Sequence, residues 1–185
     1  MTPLPTLTTD RLVLRAFEPA DADAVTSLAG AREIAATTIR IPHPYPPGLA
    51  AEWIATHRAR FAAGHGLPFA VTLSEDGRLV GAIGLEVDPG HGHAELGYWI
   101  GVPFWNRGYA TEAARVALEW GFETLALHRV HAHHFASNPA SGRVLEKIGM
   151  QREGVLRQHV LKWETYEDAV MYGILRAEWE SRPVS

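Results

Sequence analysis

The spacing of apolar residues along this chain changes from strand-like to helical at residue 111. That change restricts the fold more than any other feature of the sequence. Before it, three strand-like runs occupy residues 67–73, 79–87 and 93–101, joined by short links that contain glycine and aspartate. After it, a helical pattern runs from residue 111 to residue 124, with apolar side chains on one side and charged side chains on the other. The sequence therefore predicts an antiparallel meander that leads directly into a helix.

Helical and strand-like segments also alternate in the rest of the chain. Strands are predicted at residues 11–17, 128–136, 150–157 and 169–175, and helices at residues 18–30, 49–63 and 138–149. The last of these helices is well marked, because Asn138 suits its N-cap, Pro139 its first position and Gly149 the position after its end. A proline-rich segment at residues 40–48 is predicted to be a loop. The pattern predicts a mixed α/β fold in a single domain over residues 1–185.

Composition restricts the function classes. A net charge of -4 gives no overall basic field for a nucleic acid or an anionic membrane. The absence of cysteine removes disulfides, thiolate metal sites and a cysteine nucleophile. The N-terminal residues lack the pattern of a secretion signal, and no stretch reaches 18 apolar residues. We therefore expect a cytoplasmic protein that binds neither nucleic acid nor membrane.

The loop before the helix at residues 111–124 is a candidate anion site. It spells W-N-R-G-Y-A over residues 105–110, so Gly108 and Ala110 leave the first backbone N–H groups of the helix accessible, and Arg107 adds a positive charge. The common mononucleotide and dinucleotide glycine motifs are absent. A helix that simply starts after a glycine turn would explain this short motif equally well.

A resemblance over a longer part of the chain indicates what this loop binds. Residues 94–157, which include A-E-L-G-Y-W-I-G, the loop and N-P-A-S-G-R-V-L-E-K-I-G, resemble the GNAT superfamily of acetyl-CoA-dependent N-acetyltransferases. Within it, the chain is most similar to the ribosomal-protein alanine N-acetyltransferases, and the similarity extends to residues 9–23 and 166–175. The resemblance implies the GNAT fold, a mostly antiparallel sheet of six to seven strands flanked by about four helices. It also implies acetyl-CoA as cosubstrate and an amine as acceptor.

The coenzyme site is implied by the same resemblance. The family loop is usually written Q/R-x-x-G-x-G/A, so Trp105 stands where glutamine or arginine is most common. In the family, the strand before the loop separates from the strand after the next helix, and the pantetheine arm bonds to backbone in that gap. The residues that this places at the coenzyme are Tyr98, Ile100, Gly101, Val102, Arg107, Gly108, Tyr109, Ala110, Thr111, Asn138 and Ser141.

Glu95 is the candidate base for acetyl transfer to an amine. Period two places it on one strand face with Gly97 and Trp99, and apolar neighbours there would raise its pKa toward the useful range. A weaker base suffices for an α-amine than for a lysine. About a tenth of an α-amine with a pKa of 8 is unprotonated at pH 7, a far larger fraction than for a lysine side chain. A solvated strand glutamate is the alternative interpretation.

Ser141 is the second candidate catalytic residue. It lies one turn into its helix, where its hydroxyl could hydrogen-bond the coenzyme sulfur, although a structural serine near a helix start is also common. Residues 40–48 and 158–166 lie where the family builds its acceptor walls. Tyr45, Trp163 and Tyr166 are therefore candidate acceptor contacts, with loop anchoring as the alternative. Trp99, on the strand face of Glu95, is a further candidate acceptor contact.

The ten histidines do not match a metal motif, so no metal is expected, although His93 or His133 could shuttle a proton. We expect acetyl transfer from acetyl-CoA to a primary amine, with a protein or peptide N-terminus as the acceptor. Two alternatives stay open: acetylation of a small amine such as an antibiotic, polyamine or amino acid, and a non-catalytic module that binds acyl-CoA. An exposed strand edge would also allow a homodimer.

Overall fold

A computed structural model describes residues 4–182 as one sheet with helices on both faces. The strands of this part of the chain are β1 (Leu7–Thr8), β2 (Leu12–Ala16), β3 (Pro68–Leu73), β4 (Leu79–Asp88), β5 (His93–Ile100), β6 (Arg129–Phe135), β7 (Gln151–Lys162) and β8 (Thr165–Leu175). The α-helices are α1 (Ala22–Ala29), α2 (Arg32–Ala36), α3 (Leu49–Ala62), α4 (Tyr109–Glu119), α5 (Pro139–Lys147) and α6 (Arg176–Glu180). The mixed α/β fold class is confirmed, with eight strands and six α-helices in the described residues.

The strand order in the sheet is β1-β2-β3-β4-β5-β6-β8-β7. The predicted meander is confirmed, because β3, β4 and β5 pair antiparallel in sequence order. Among the described strands, only β5 and β6 pair in parallel. A parallel pair needs a crossover connection, and α4 provides it.

Two apolar cores lie on opposite faces of the sheet. The larger core joins α4 and α5 to the sheet through buried side chains such as Ala113, Ala117 and Leu145. The smaller core joins α1 and α3 to the other face, where the sheet presents the small residues Ala70 and Ala82. Strand β3 lies between both cores, which explains why five of its six residues are buried and why it lacks the alternation of a half-exposed strand.

Helix α4 begins at Tyr109 rather than at the predicted residue 111. Gly108 precedes it with φ +82, a left-handed conformation that glycine adopts more readily than any other residue, so the chain can turn sharply into the helix. The α-helical part ends at Glu119 and continues as a π-helical turn over Trp120–Thr124. That turn buries Trp120 and Phe122 together.

Helix α5 follows the prediction closely. It starts at Pro139, and the side chain of Asn138 accepts a hydrogen bond from the backbone of Ser141, as an N-cap residue does. The chain leaves the helix through Gly149, which has φ +78. The capping residues therefore allowed both ends of this helix to be predicted from the sequence.

The last two strands form a continuous hairpin, so β7 continues past the predicted end at residue 157 and β8 begins before the predicted start at residue 169. The turn between them consists of Trp163 and Glu164, which have φ +46 and +65. Such a turn normally contains asparagine, aspartate or glycine, so neither residue gave a turn signal. Gln158 also has a positive φ, at a register shift in β7.

Candidate active site

A gap opens in the sheet between β5 and β6. The two strands pair at only three positions, namely His93 with Arg129, Ala94 with Val130, and Glu95 with His131. Beyond Glu95, β5 continues to pair with β4, while β6 continues to pair with β8. The separated strands match the arrangement that the family resemblance implied.

Backbone groups of β5 point into this gap. The N–H of Gly101 donates to the carbonyl of Val80 at 2.8 Å, so Gly101 faces β4. Hydrogen-bonding directions alternate along a strand, and the N–H groups of Tyr98 and Ile100 therefore face the opposite side, toward β6. These are two of the predicted backbone donors.

The backbone of Gly101, another member of the predicted set, already has partners within the protein. Its N–H is bonded to Val80, and its carbonyl accepts from the N–H of Phe104 at 2.9 Å. The N–H of Gly101 is therefore occupied, whereas its carbonyl keeps a second lone pair as an acceptor. The carbonyl of Val102, another member of the set, accepts from Trp105 N–H at 3.2 Å.

Trp105 closes the end of the same strand. Its indole Nε1–H donates to the carbonyl of Ile100 at 2.5 Å, and the residue remains 41% exposed. The side chain that replaces the usual glutamine or arginine thus holds the loop against β5. It satisfies a carbonyl that the separation of β5 from β6 leaves without a strand partner.

The start of α4 has the features of an anion site. The first intrahelical hydrogen bond is donated by Glu112 N–H to Gly108, at 3.0 Å, so the N–H groups of Tyr109, Ala110 and Thr111 have no helical partner. A Cβ on Gly108 would meet only the Arg11 guanidinium, at 3.4 Å, which leaves the approach open. Free N–H groups of this kind at a helix start can bind a phosphate.

Arg11 holds this loop in place, and sequence analysis missed it. Its Nε donates to Glu112 at 2.7 Å, and its Nη1 donates to the carbonyl of Arg107 at 3.0 Å. The guanidinium also lies 4.9 Å from the ring centre of Tyr109. No spacing in the sequence could have linked Arg11 to a loop nearly one hundred residues away.

Glu95 has a histidine partner. Its Oε1 lies 3.2 Å from Nδ1 of His133, which β6 presents on the same face of the sheet. The hydrogen bond with His133 is the largest cause that lowers the pKa of Glu95. Burial opposes this, and electrostatic interactions with His133, His131 and Arg40 add to the lowering. The predicted upward shift is therefore wrong, because the apolar neighbours along β5 were counted and the partner on β6 was not. Glu95 is a carboxylate at neutral pH.

Glu95 borders an open polar cavity of about 390 Å³ that Arg40 and His131 also line. Arg40 is held by an ion pair with Glu86, at 2.6 Å. Within residues 4–182, no group of three or more histidine, aspartate or glutamate side chains is arranged to hold a metal ion. Acidic, basic and imidazole side chains therefore line the cavity.

Ser141 meets a side chain from β5. The hydroxyl oxygens of Tyr98 and Ser141 lie 2.7 Å apart at the start of α5. Burial raises the pKa of Tyr98 to about 12, although the hydrogen bond with Ser141 opposes the shift. Alternation along β5 places Tyr98 on the face toward α5 and Glu95 on the other face. A hydroxyl pair and a carboxylate therefore lie on opposite faces of the strand that borders the gap.

The predicted acceptor residues divide into three groups. Tyr45 and Trp99 are partly buried and pack against the smaller core. Trp163 lies in the β7–β8 turn, where its ring is 5.1 Å from the Arg32 guanidinium, beside the proline-rich loop. Tyr166 is 61% exposed and belongs to neither core. The structure thus brings the loop and the hairpin turn together, and leaves Tyr166 apart.

The separation of β5 from β6 and the free N–H groups at the start of α4 together indicate a class of acyltransferase. Comparison with known proteins identifies the family. The family model described as Acetyltransferase (GNAT) domain matches residues 11–151. The chain therefore belongs to the GNAT acetyltransferases and is an acetyl-CoA-dependent N-acetyltransferase. No described helix is long and apolar enough to cross a membrane.

Individual relatives agree with this assignment. The uncharacterized N-acetyltransferase YoaA of Bacillus subtilis is 32% identical over 173 residues, which cover 93% of this chain and 97% of that protein. The putative ribosomal N-acetyltransferase YdaF of the same organism is 38% identical over 109 residues, covering 58% of this chain and 60% of that protein. The crystal structure of a GNAT-family acetyltransferase from Bacillus anthracis superposes with a TM-score of 0.84 at 28% identity, covering 94% of this chain and all of that one.

Proposed function

We propose that this protein transfers the acetyl group of acetyl-CoA to the N-terminal α-amine of a protein or peptide. The observation that carries the proposal is the placement of Glu95 and of the Tyr98–Ser141 pair on the two faces of β5, beside the gap to β6. Similarity to a relative named as a putative ribosomal N-acetyltransferase supports a protein acceptor.

The coenzyme is held by backbone in this proposal. The free N–H groups at the start of α4 bind the pyrophosphate, with Arg107 nearby, and the N–H groups of Tyr98 and Ile100 bond to the pantetheine arm and the thioester carbonyl. A preorganised donor at a developing oxyanion contributes about 3 kcal/mol to the transition state. Asn138 fixes the start of α5 and so positions Ser141.

The acetyl transfer itself needs a base and a stabilised leaving group. The free amine attacks the thioester carbonyl, so a C–N bond forms and the C–S bond breaks. Glu95 accepts the proton that the nitrogen loses, directly or through water, and Ser141 donates a hydrogen bond to the departing thiolate. A thiol pKa of about 8.5 makes that thiolate a good leaving group, so a hydroxyl donor suffices.

An α-amine suits this site better than a lysine. Glu95 is a carboxylate of lowered pKa and thus a weak base, which cannot readily deprotonate an ammonium group of pKa about 10.4. An α-ammonium group of pKa about 8 supplies a useful fraction of free amine at neutral pH without help. The proposed acceptor follows from this difference.

Thiol release from acetyl-CoA tests the proposal with little background, because the protein contains no cysteine. The acceptors are a peptide with a free N-terminal alanine, the same peptide with a blocked N-terminus and an internal lysine, and spermine. We expect the free N-terminus to react fastest. Faster reaction of the blocked peptide or of spermine would replace the proposed acceptor with a lysine or a polyamine.

Thermal unfolding with acetyl-CoA tests the coenzyme site separately. A ligand that binds only the folded state raises the unfolding temperature in proportion to the logarithm of its concentration. Stabilisation by acetyl-CoA with no thiol release for any amine would indicate a binding module. No stabilisation at millimolar acetyl-CoA would reject the coenzyme site itself.

A further inference from the structure

The side chain of Tyr98 lies beside the gap, and the proposed reaction has so far used only its backbone. We infer that the Tyr98 hydroxyl is a positioning group that donates to Ser141 Oγ and leaves the Ser141 proton free for the coenzyme sulfur. The inference rests on the proposed function of Ser141. It adds a residue that acts through Ser141 without contacting the acceptor.

Two arrangements of protons are compatible with the observed distances. Tyr98 Oη lies 2.7 Å from Ser141 Oγ and 3.2 Å from the backbone carbonyl of Ser141. Each hydroxyl has one proton to donate. If the Tyr98 hydroxyl donates to the Ser141 carbonyl, the Ser141 hydroxyl can donate to Tyr98 Oη. The Ser141 proton is then not available to the coenzyme. If Tyr98 donates to Ser141 Oγ, the Ser141 proton can point into the gap.

A thiolate in the gap selects the second arrangement. An anion binds the end of a hydrogen-bond chain that presents a proton, and the Tyr98 bond polarises the Ser141 hydroxyl and strengthens its donation. Burial keeps Tyr98 protonated, with a pKa of about 12, which is well above that of a thiol at about 8.5. Tyr98 therefore orients and polarises Ser141, and its own proton stays in place.

The pH dependence of CoA binding tests this inference without any acceptor. The protein has no cysteine, so the thiol of the bound product is the only thiol in the complex. Its ionisation is isolated by measuring the dissociation constants of CoA and of a CoA analogue without the sulfur, by calorimetry at pH 7 and pH 9. Between pH 7 and pH 9, the affinity of wild-type protein for CoA should rise relative to its affinity for the analogue. This gain is expected because the thiolate accepts a hydrogen bond from Ser141.

Tyr98→Phe should reduce that gain about three- to tenfold, the range for loss of one neutral hydrogen bond. Tyr172→Phe is the matched control, because Tyr172 also attaches α5 to the sheet, through a hydroxyl bond of 3.1 Å to Glu146. The control should keep the wild-type gain. An equal reduction in both variants would show that Tyr98 merely anchors the helix, and no reduction in Tyr98→Phe would overturn the inference.

The double variant with Ser141→Ala decides whether Tyr98 acts through Ser141. If it does, Tyr98→Phe changes nothing further once Ser141 is alanine. A further reduction in the double variant would contradict the inference. Thiol release with amines is measured in parallel on wild-type protein. A silent acceptor panel would reject the proposed function and still leave the thiolate measurement interpretable.

Discussion

Glu95 and His133 show how one contact changes the chemistry expected of a residue. A carboxylate with a raised pKa would lose activity as the pH falls below neutrality, because protonation would remove the base. The observed partner at 3.2 Å lowers the pKa of Glu95 instead. Glu95 therefore stays ionised through the neutral and mildly acidic range, and we expect the ionisation of the acceptor amine to determine the acid side of the rate profile.

Glu95→Gln should lower kcat/KM about a hundredfold, because the amide cannot accept the proton from the attacking amine. The loss should be the same at each pH between about 5.5 and 8, since Glu95 is ionised throughout that range. Steady-state rates with an alanine peptide over this range provide the measurement. Glu119→Gln, on the exposed side of α4, is the control and should retain the wild-type rate.

An acid limb centred between pH 6 and 7 that disappears in Glu95→Gln would contradict this prediction. It would mean that the bound substrates raise the pKa of Glu95 above its ordinary value. An equal rate in Glu95→Gln and wild-type protein would instead remove Glu95 from the reaction and leave a water or histidine relay as the base.

Individual residues show which parts of the site were predictable. The face of Glu95 followed from strand period, and the cap at Asn138 followed from residue type, because both depend on neighbours in sequence. His133 as the partner of Glu95, and Trp105 as the donor to Ile100, depend on how β6 and the loop are placed in space. Such contacts, and the pKa shifts they cause, cannot be obtained from local pattern.

The start of α4 is an element whose function depends on a second element. Glu112 places a negative charge in the first turn of the helix, near the N–H groups proposed to bind pyrophosphate. Arg11, just before β2, compensates that charge and bonds to the carbonyl of Arg107. The attachment of β2 to α4 therefore preserves an anion site that Glu112 alone would weaken.

Arg11→Gln should raise the KM for acetyl-CoA about three- to tenfold with kcat changed less than twofold, because it exposes the phosphates to Glu112 and loosens the loop. Steady-state kinetics at saturating acceptor separate the two constants. Arg58→Gln, an exposed arginine on α3, removes the same charge from another part of the surface and should leave both constants unchanged. An unchanged KM in Arg11→Gln would show that the loop is stable without this contact.

Long helices and strands could be predicted from the sequence, and short ones could not. Helix α5 and the meander carry at least two full periods each, so pattern located them. Strand β1, helix α2 and helix α6 have two, five and five residues, which is too short to show a period. The β7–β8 hairpin was missed for a chemical reason, since tryptophan and glutamate occupy turn positions that usually require glycine or asparagine.

At the scale of the whole molecule, the two cores serve different parts of the proposed site. The larger core fixes α4 and α5, and thus the coenzyme side. The smaller core fixes α1, α3, Tyr45 and Trp99, on the face that also carries Glu95. A loss of stability in the smaller core should therefore affect the proposed acceptor side first, and this core contains a buried titratable side chain.

His57 of α3 is that side chain, with only 4% of its surface exposed. It forms a cluster of three mutually contacting rings with Phe17 and Trp53, and within the described residues neither ring nitrogen has a hydrogen-bond partner. Burial, assisted by the charge of Arg60, lowers its pKa to about 4, so the folded protein holds it neutral. The unfolded chain binds the proton with the ordinary pKa of about 6.5.

The free energy of unfolding should therefore fall as the pH decreases from about 6.5 to 4, because the unfolded state then binds the additional proton. His57→Phe keeps an aromatic ring in contact with Phe17 and Trp53. Between pH 7 and pH 4.5, its free energy of unfolding should fall by about 2 kcal/mol less than that of wild-type protein. Urea unfolding at both pH values measures the difference. His159→Gln, at an exposed position of β7, is the control and should follow the wild-type dependence. Equal losses in His57→Phe and wild-type protein would show that His57 is protonated in the folded state, and the smaller core would then have to hydrate or open around it.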